Sequence, residues 1–224
     1  MRSYCTFSVR WADRALSEQD NTHLTSKASY GYAIYSLGGS VEPAKNFLPQ
    51  NGPAPGTVPK RYIPVAQAFL VYSLSGADVK FNNNQRVYQR EFDGESVLFK
   101  NSSSKKTAPV AVSVDNDLRT KIRVGFNAEG NINRQILLTI DERTTDGIDP
   151  GFDAGIFKQL PEENDLYWIV KDRKLAIQAI GELAIDRVVP IGIKTKGNGV
   201  LKIKIDEIEN PYPDMEVYLK DNLT

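Results

Sequence analysis

Residues 118–126 read Leu-Arg-Thr-Lys-Ile-Arg-Val-Gly-Phe, and this stretch decides the fold class. Leu118, Thr120, Ile122, Val124 and Phe126 fall on one side, and Arg119, Lys121 and Arg123 on the other. A period of two belongs to an extended strand with one face on a core and the other on a polar surface. The cationic row has two readings, a site for an anionic polymer or a solvated face that keeps strands from stacking; the second is favoured.

The same pattern extends outward. Asn127–Asn131 (NAEGN) turns the chain into Asn133–Ile140, where Ile136, Leu138 and Ile140 share a face. Upstream, Pro109–Val114 is expected to form a hairpin with Leu118–Phe126 around Asp115-Asn116-Asp117. Downstream, strands are expected at Leu166–Val170, Leu175–Ile180, Val189–Ile193, Val200–Ile205 and Glu216–Leu219. Asp172-Arg173 and Lys196-Gly197-Asn198-Gly199 supply hairpin turns between them. Toward the N-terminus come Tyr4–Ala12, the tyrosine-rich Ala28–Leu37, and Tyr62–Tyr72, apolar on both faces like a buried strand. Between the last two, residues 42–60 hold Pro43, Pro49, Pro53, Pro55 and Pro59 with Gly52 and Gly56, a density that no strand ladder survives.

No stretch keeps a helical period. The expectation is an all-β chain with little helix, a β-sandwich that is either jelly-roll-like or two packed β modules; a closed barrel is the fallback. Residues 1–140 would form one module, 141–155 a connecting loop and 156–224 a second module, unless a single sandwich runs through.

The connecting loop, Asp141–Gly155 (DERTTDGIDPGFDAG), holds the densest mixture of carboxylates and glycines. Asp146, Asp149 and Asp153 are the candidate ligands for calcium, which takes six to eight oxygens, although their spacing is not that of an EF-hand. The competing reading is a solvated acidic turn. Paired acids also suggest a glycoside hydrolase, a reading weakened because these acids share one loop. Tyr30, Tyr32, Tyr35 and Trp168 are candidates for stacking on a sugar, against the alternative of half-buried strand or core residues.

Composition removes several classes. The 28 cationic and 28 anionic side chains balance, which argues against a nucleic-acid binder. No apolar run approaches the ~20 residues of a membrane-spanning helix. Cys5 is the only cysteine and His23 the only histidine, so no cysteine framework is available and no Ser-His-Asp motif is evident. Met1–Asp13 lacks the apolar stretch of a signal peptide.

Six stretches carry a resemblance. They are YIPVAQAFLV (62–71), FNNNQRVYQRE (81–91), RQILLTIDERTTDGIDPGFDAGIF (134–157), DLYWIVKDRKLAIQAI (165–180), VPIGI (189–193) and VYLKDNLT (217–224). In this order they resemble the β module that precedes the C-terminal sorting domain of large Bacteroidota cell-surface proteins exported by type IX secretion. The resemblance covers residues from about 60 to the end of the sequence, and ASYGYAIYSLGGS (28–40) is similar to a strand before them. It implies an extracellular or surface location and a non-catalytic spacer, adhesive or interaction role. It also implies export through a sorting domain that this chain lacks, and contact with a polysaccharide or surface protein. On this reading the chain is a fragment of a larger protein. A calcium-assisted carbohydrate-binding module is the alternative and a glycoside hydrolase the third. The resemblance itself carries no binding residue and no cofactor.

Overall fold

A computed structural model describes residues 8–11, 33–42, 45–46, 58–65, 67, 69–72, 80–89, 96, 117–128, 132–156, 164–195 and 199–221. The strands are β1 (Ser8–Trp11), β2 (Ala33–Ser36), β3 (Gly39–Val41), β4 (Lys45–Asn46), β5 (Phe69–Tyr72), β6 (Lys121–Ala128) and β7 (Ile132–Ile140), followed by β8 (Ala154–Gly155), β9 (Asp165–Val170), β10 (Arg173–Ile180), β11 (Ile191–Lys194) and β12 (Lys202–Glu209). A 3-10 turn at Asn83–Gln85 is the one helical element among the described residues. The fold is all-β and sandwich-like.

β6 and β7 form the expected antiparallel hairpin, with Val124 opposite Ile136 and Ile122 opposite Leu138. β12 adds to the free side of β6, and β10 adds to β7, giving an eight-stranded sheet in the order β11-β9-β10-β7-β6-β12 with β4 and β8 off that path. β7 and β10 run parallel, Leu137 opposite Ile177 and Ile140 opposite Ile180. Parallel neighbours cannot be joined by a tight turn and need a long crossover. Here the crossover consists of the acidic loop, β8 and β9.

β10 is where the sheet curls. Its first half, Arg173–Leu175, pairs with β9, and its second half, Ile177–Ile180, pairs with β7. β9 therefore folds over the β6–β7 face instead of lying beside it. Ile122, Val124, Phe126, Ile136, Leu138 and Ile140 meet Leu166, Trp168 and Val170 in the main core. A second core lies on the opposite face of β7 and β10, where Leu137, Ala176 and Ile177 pack against Ile34, Val41 and Ala154. Both faces of β10 are thus covered, and Leu175–Ile180 is buried throughout. The hairpin β2–β3 turns at Leu37-Gly38 and belongs to a second, four-stranded sheet ordered β3-β2-β1-β5.

Gly38 is required by close approach. A Cβ there would stand 2.6 Å from the Phe152 carbonyl oxygen and 3.1 Å from Ile177 Cγ2. Gly38→Ala is expected to cost about 1–3 kcal/mol, read as a lower urea midpoint, because rigid backbone must move to admit a methyl group.

Several expectations change. β6, β7 and β9–β12 share one sheet, so 141–155 is a crossover inside that sheet and not a link between two modules. Lys196-Gly197-Asn198-Gly199 does not close a hairpin: β11 pairs with β9, β12 pairs with β6, and the two stand at opposite ends of the sheet. An Asn-Gly turn specifies local reversal, not the strands that are joined. The β9–β10 hairpin turns at Lys171-Asp172, one residue earlier than expected, with Lys171 at φ 54°. Among the described residues of 62–72 the strand is Phe69–Tyr72, Tyr62 makes only an isolated bridge to Ser96, and Val65 is 96% exposed. Glu216–Leu219 joins no strand; positive φ at Asn210 (46°) and Asp214 (59°) turns the chain away from the edge of β12. The proposed 109–126 hairpin lies outside the described residues for its first strand and most of its turn.

Candidate functional site

The acidic loop is held by its own carboxylates. Asp153 is 3% exposed and accepts the amide of Ala179 at 2.7 Å and that of Asp149 at 2.6 Å. The Asp149 carboxylate turns the other way and accepts the amide of Thr145 at 2.6 Å and its hydroxyl. Asp146 pairs with Arg187 across the loop mouth. The three calcium candidates therefore point into three different sets of partners. Among the described residues, no three His, Cys, Asp or Glu side chains gather as a metal group. The hydrolase reading loses its geometry in the same way, since Asp149 and Asp153 are successive links in one turn and do not face each other across a cleft.

Asp141 is the hub that the sequence left unranked. Its carboxylate is taken by Arg143 at 2.6 Å and by Arg119 at 2.7 Å, and its backbone joins Ile180 and Thr144. The Arg143 guanidinium, acting against burial and joined by Arg119, holds the Asp141 carboxyl well below the usual carboxylate range. Arg143 also lies over the Phe152 ring, 5.1 Å from its centre. Ser36 and the Leu37 amide bond the Phe152 and Gly151 carbonyls, so the loop is also stitched to the β2–β3 turn.

The cationic row of β6 is not the solvated face the sequence suggested. Lys121 is 4% exposed and bonds Glu209 at 3.0 Å, while Arg123 bonds Glu209 at 2.8 Å and the Ser40 carbonyl at 2.7 Å. Arg119 pairs with Asp117 and Asp141 and reaches the Leu37 carbonyl at 2.8 Å. Burial works to raise Asp117, but Arg119 and Lys121 overcome it and hold the carboxyl well below its normal value. Glu209 is likewise lowered, with burial outweighed by Arg123 and Lys121.

Trp168 is a core residue and offers no stacking platform. It is 3% exposed, and its indole Nε1 donates to the Leu137 carbonyl at 2.9 Å, where β7 and β10 begin to pair. Tyr35 is half-buried in β2. Tyr30 and Tyr32 lie outside the described residues.

Two open depressions meet at Glu142 and Gly181. One, of about 610 Å³, lies between Thr145, Asp146 and Arg187. The other, of about 790 Å³, is bordered by Arg119, Arg143, Asn210 and Tyr212. No motif marks this junction, because Glu142 and Gly181 are far apart in the chain.

The family model for a domain of unknown function (DUF8693) matches residues 12–224. The chain belongs to this family. No curated protein and no solved structure matches it. The family's match runs through both sheets, and no helix among the described residues is long and apolar enough to cross a membrane.

Asp153 gives a pH test of the site. Burial, outweighing its two amide bonds, raises its carboxyl from 3.8 to about 6. A raised acid favours the folded state below its unfolded pKa, and that contribution is lost as pH climbs through the folded value. Two pH units correspond to about 2–3 kcal/mol. Asp117, Asp141 and Glu209 are lowered, so their contribution is present above ~4 and lost as pH falls further. Urea titrations should therefore show greatest stability in mild acid, near pH 4–5, with a decline toward pH 7. Asp153→Asn should flatten that decline.

Proposed function

We propose that the chain is a non-catalytic β module of a secreted or cell-surface protein exported by type IX secretion, acting as a spacer, adhesive or interaction domain. The observation that carries this reading is how the ionic groups are used. In the acidic loop, along β6 and between β7 and β9, charged side chains close on one another: Asp141 with Arg119 and Arg143, Lys121 and Arg123 with Glu209, Arg134 with Asp165. Groups neutralised in this way hold layers together and are not poised to polarise a substrate. The resemblance of TDGIDPGFDA (145–154) and LYWIVKDRKLAIQ (166–178) to modules of exported surface proteins supports the location. The carbohydrate reading has lost Trp168, its one candidate ring outside the tyrosine-rich strand.

Location is the part to test first. Intact cells of the source organism are treated with external protease, and the chain is followed with an antibody raised against it. The proposal expects cleavage on intact cells, and retention inside the envelope when the type IX machinery is deleted. Full protection in wild-type cells, unchanged by that deletion, would overturn it.

A further inference from the structure

We propose that the module is built to carry tension along the chain, and that the cationic row of β6 is its clamp. The biological need for tensile strength rests on the surface-module reading; the clamp does not.

Force from the N-terminal side meets β1 first and passes through its partner β2 to β3, the strand nearest the β6 row. Force on the other side leaves through β12, which pairs with β6 alone. An antiparallel edge strand pulled by its C-terminal end peels one rung at a time, a weak mode because few backbone bonds resist at any instant. Peeling of β12 begins at the rung where Glu209 faces Lys121. The polar contacts concentrate there. Glu209 takes Lys121 at 3.0 Å and Arg123 at 2.8 Å. Asn210 donates to the carbonyls of Asp117 at 2.9 Å and Arg119 at 3.2 Å, and its own carbonyl accepts the Thr120 hydroxyl at 2.6 Å. These bonds load together, so the first rung cannot open alone.

The same residues hold the N-terminal side. Arg119 bonds the Leu37 carbonyl at 2.8 Å and Arg123 the Ser40 carbonyl at 2.7 Å. Arg123 thus bridges β3 on the N-terminal side of the load path to β12 on the C-terminal side. The opposite end of β12 has no such cluster among the described residues; Lys204 pairs with Asp206 of its own strand at 2.8 Å, and Gln135 reaches Asp206.

The test is single-molecule force spectroscopy on the chain set between marker domains, pulled through both ends, and again with one attachment moved to the β9–β10 turn. In the second geometry β12 lies off the load path. Glu209→Gln, which keeps shape and loses charge, and Asn210→Gly, which keeps the positive φ and loses the donors, are the variants. End-to-end pulling should show unfolding about tenfold faster at a given force for each, as expected for losing the charge of the Glu209 bonds in one and two amide-to-carbonyl bonds in the other. The second geometry should show little change. Arg187→Gln, which breaks the ion pair to Asp146 away from the path, should leave the end-to-end unfolding force as it was. Equal weakening in both geometries, or none in the first, would overturn the clamp. Surface location could still hold in either case.

Discussion

Asp165→Ala is expected to lower the folding free energy by about 3–5 kcal/mol, the range for breaking one side of a buried ion pair. Asp165 opens β9 and is gripped by Arg134 of β7 through two bonds, at 2.6 and 3.0 Å. Both side chains are nearly out of solvent, at 4% and 9% exposure. The substitution would strand the Arg134 guanidinium between the layers and leave the Leu166 amide, now bonded to Asp165, without its acceptor. With total stabilities of about 5–15 kcal/mol for ordinary domains, much of the margin would go. Urea denaturation at neutral pH measures the loss. Arg134→Met combined with Asp165→Leu should recover most of it, because desolvating two charges offsets much of what their attraction returns. If the double variant is as unstable as Asp165→Ala, the pair does more than fill and neutralise the gap.

The second large effect is expected at Trp168. Trp168→Ala should cost about 3–5 kcal/mol from the lost ring and the cavity it leaves. Trp168→Phe separates the terms: it keeps much of the ring and removes the indole donor to the Leu137 carbonyl, so its loss should be well below that of alanine. Both are read from denaturation midpoints. A variant that left stability unchanged would mean that the β9 layer packs elsewhere.

Strand identity was legible from residue type. LRTKIRVGF announces β6 because apolar and cationic positions alternate, the first meeting the main core and the second meeting carboxylates, and RQILLTI announces β7 by an apolar run whose two faces meet two cores. β10 was legible as a strand from its apolar run, but nothing in KLAIQAI says that its first half pairs with β9 and its second with β7. That division depends on where the sheet bends, which is set by packing between layers. An Asn-Gly dipeptide misleads for a related reason: a signal for chain reversal does not say which strands pair.

The site was less legible than the fold. Residue type makes Asp146, Asp149 and Asp153 candidates for calcium, yet each carboxylate is claimed by different partners, a matter of backbone direction that composition does not contain. The arginines at 119, 123 and 134 sit on the polar side of the alternation, where a solvated face is the simplest expectation. They turned out to be fasteners because Asp141, Asp165 and Glu209 arrive opposite them from distant parts of the chain.

The parallel pairing of β7 with β10 has a consequence for how the chain is made. Synthesis delivers β6 and β7 before the two long strands that flank them, and their hairpin emerges with most of both edges bare. β4, made earlier, pairs with β7 only at Ile132 and Asn133; further along, that edge is covered when β10 has been translated, and the edge of β6 when β12 has followed. Contacts of such long sequence separation close slowly, and a bare hairpin invites pairing with another chain. A copy interrupted within the crossover would therefore be a sticky intermediate, so splitting this chain at the acidic loop should yield two aggregating pieces and no folded half.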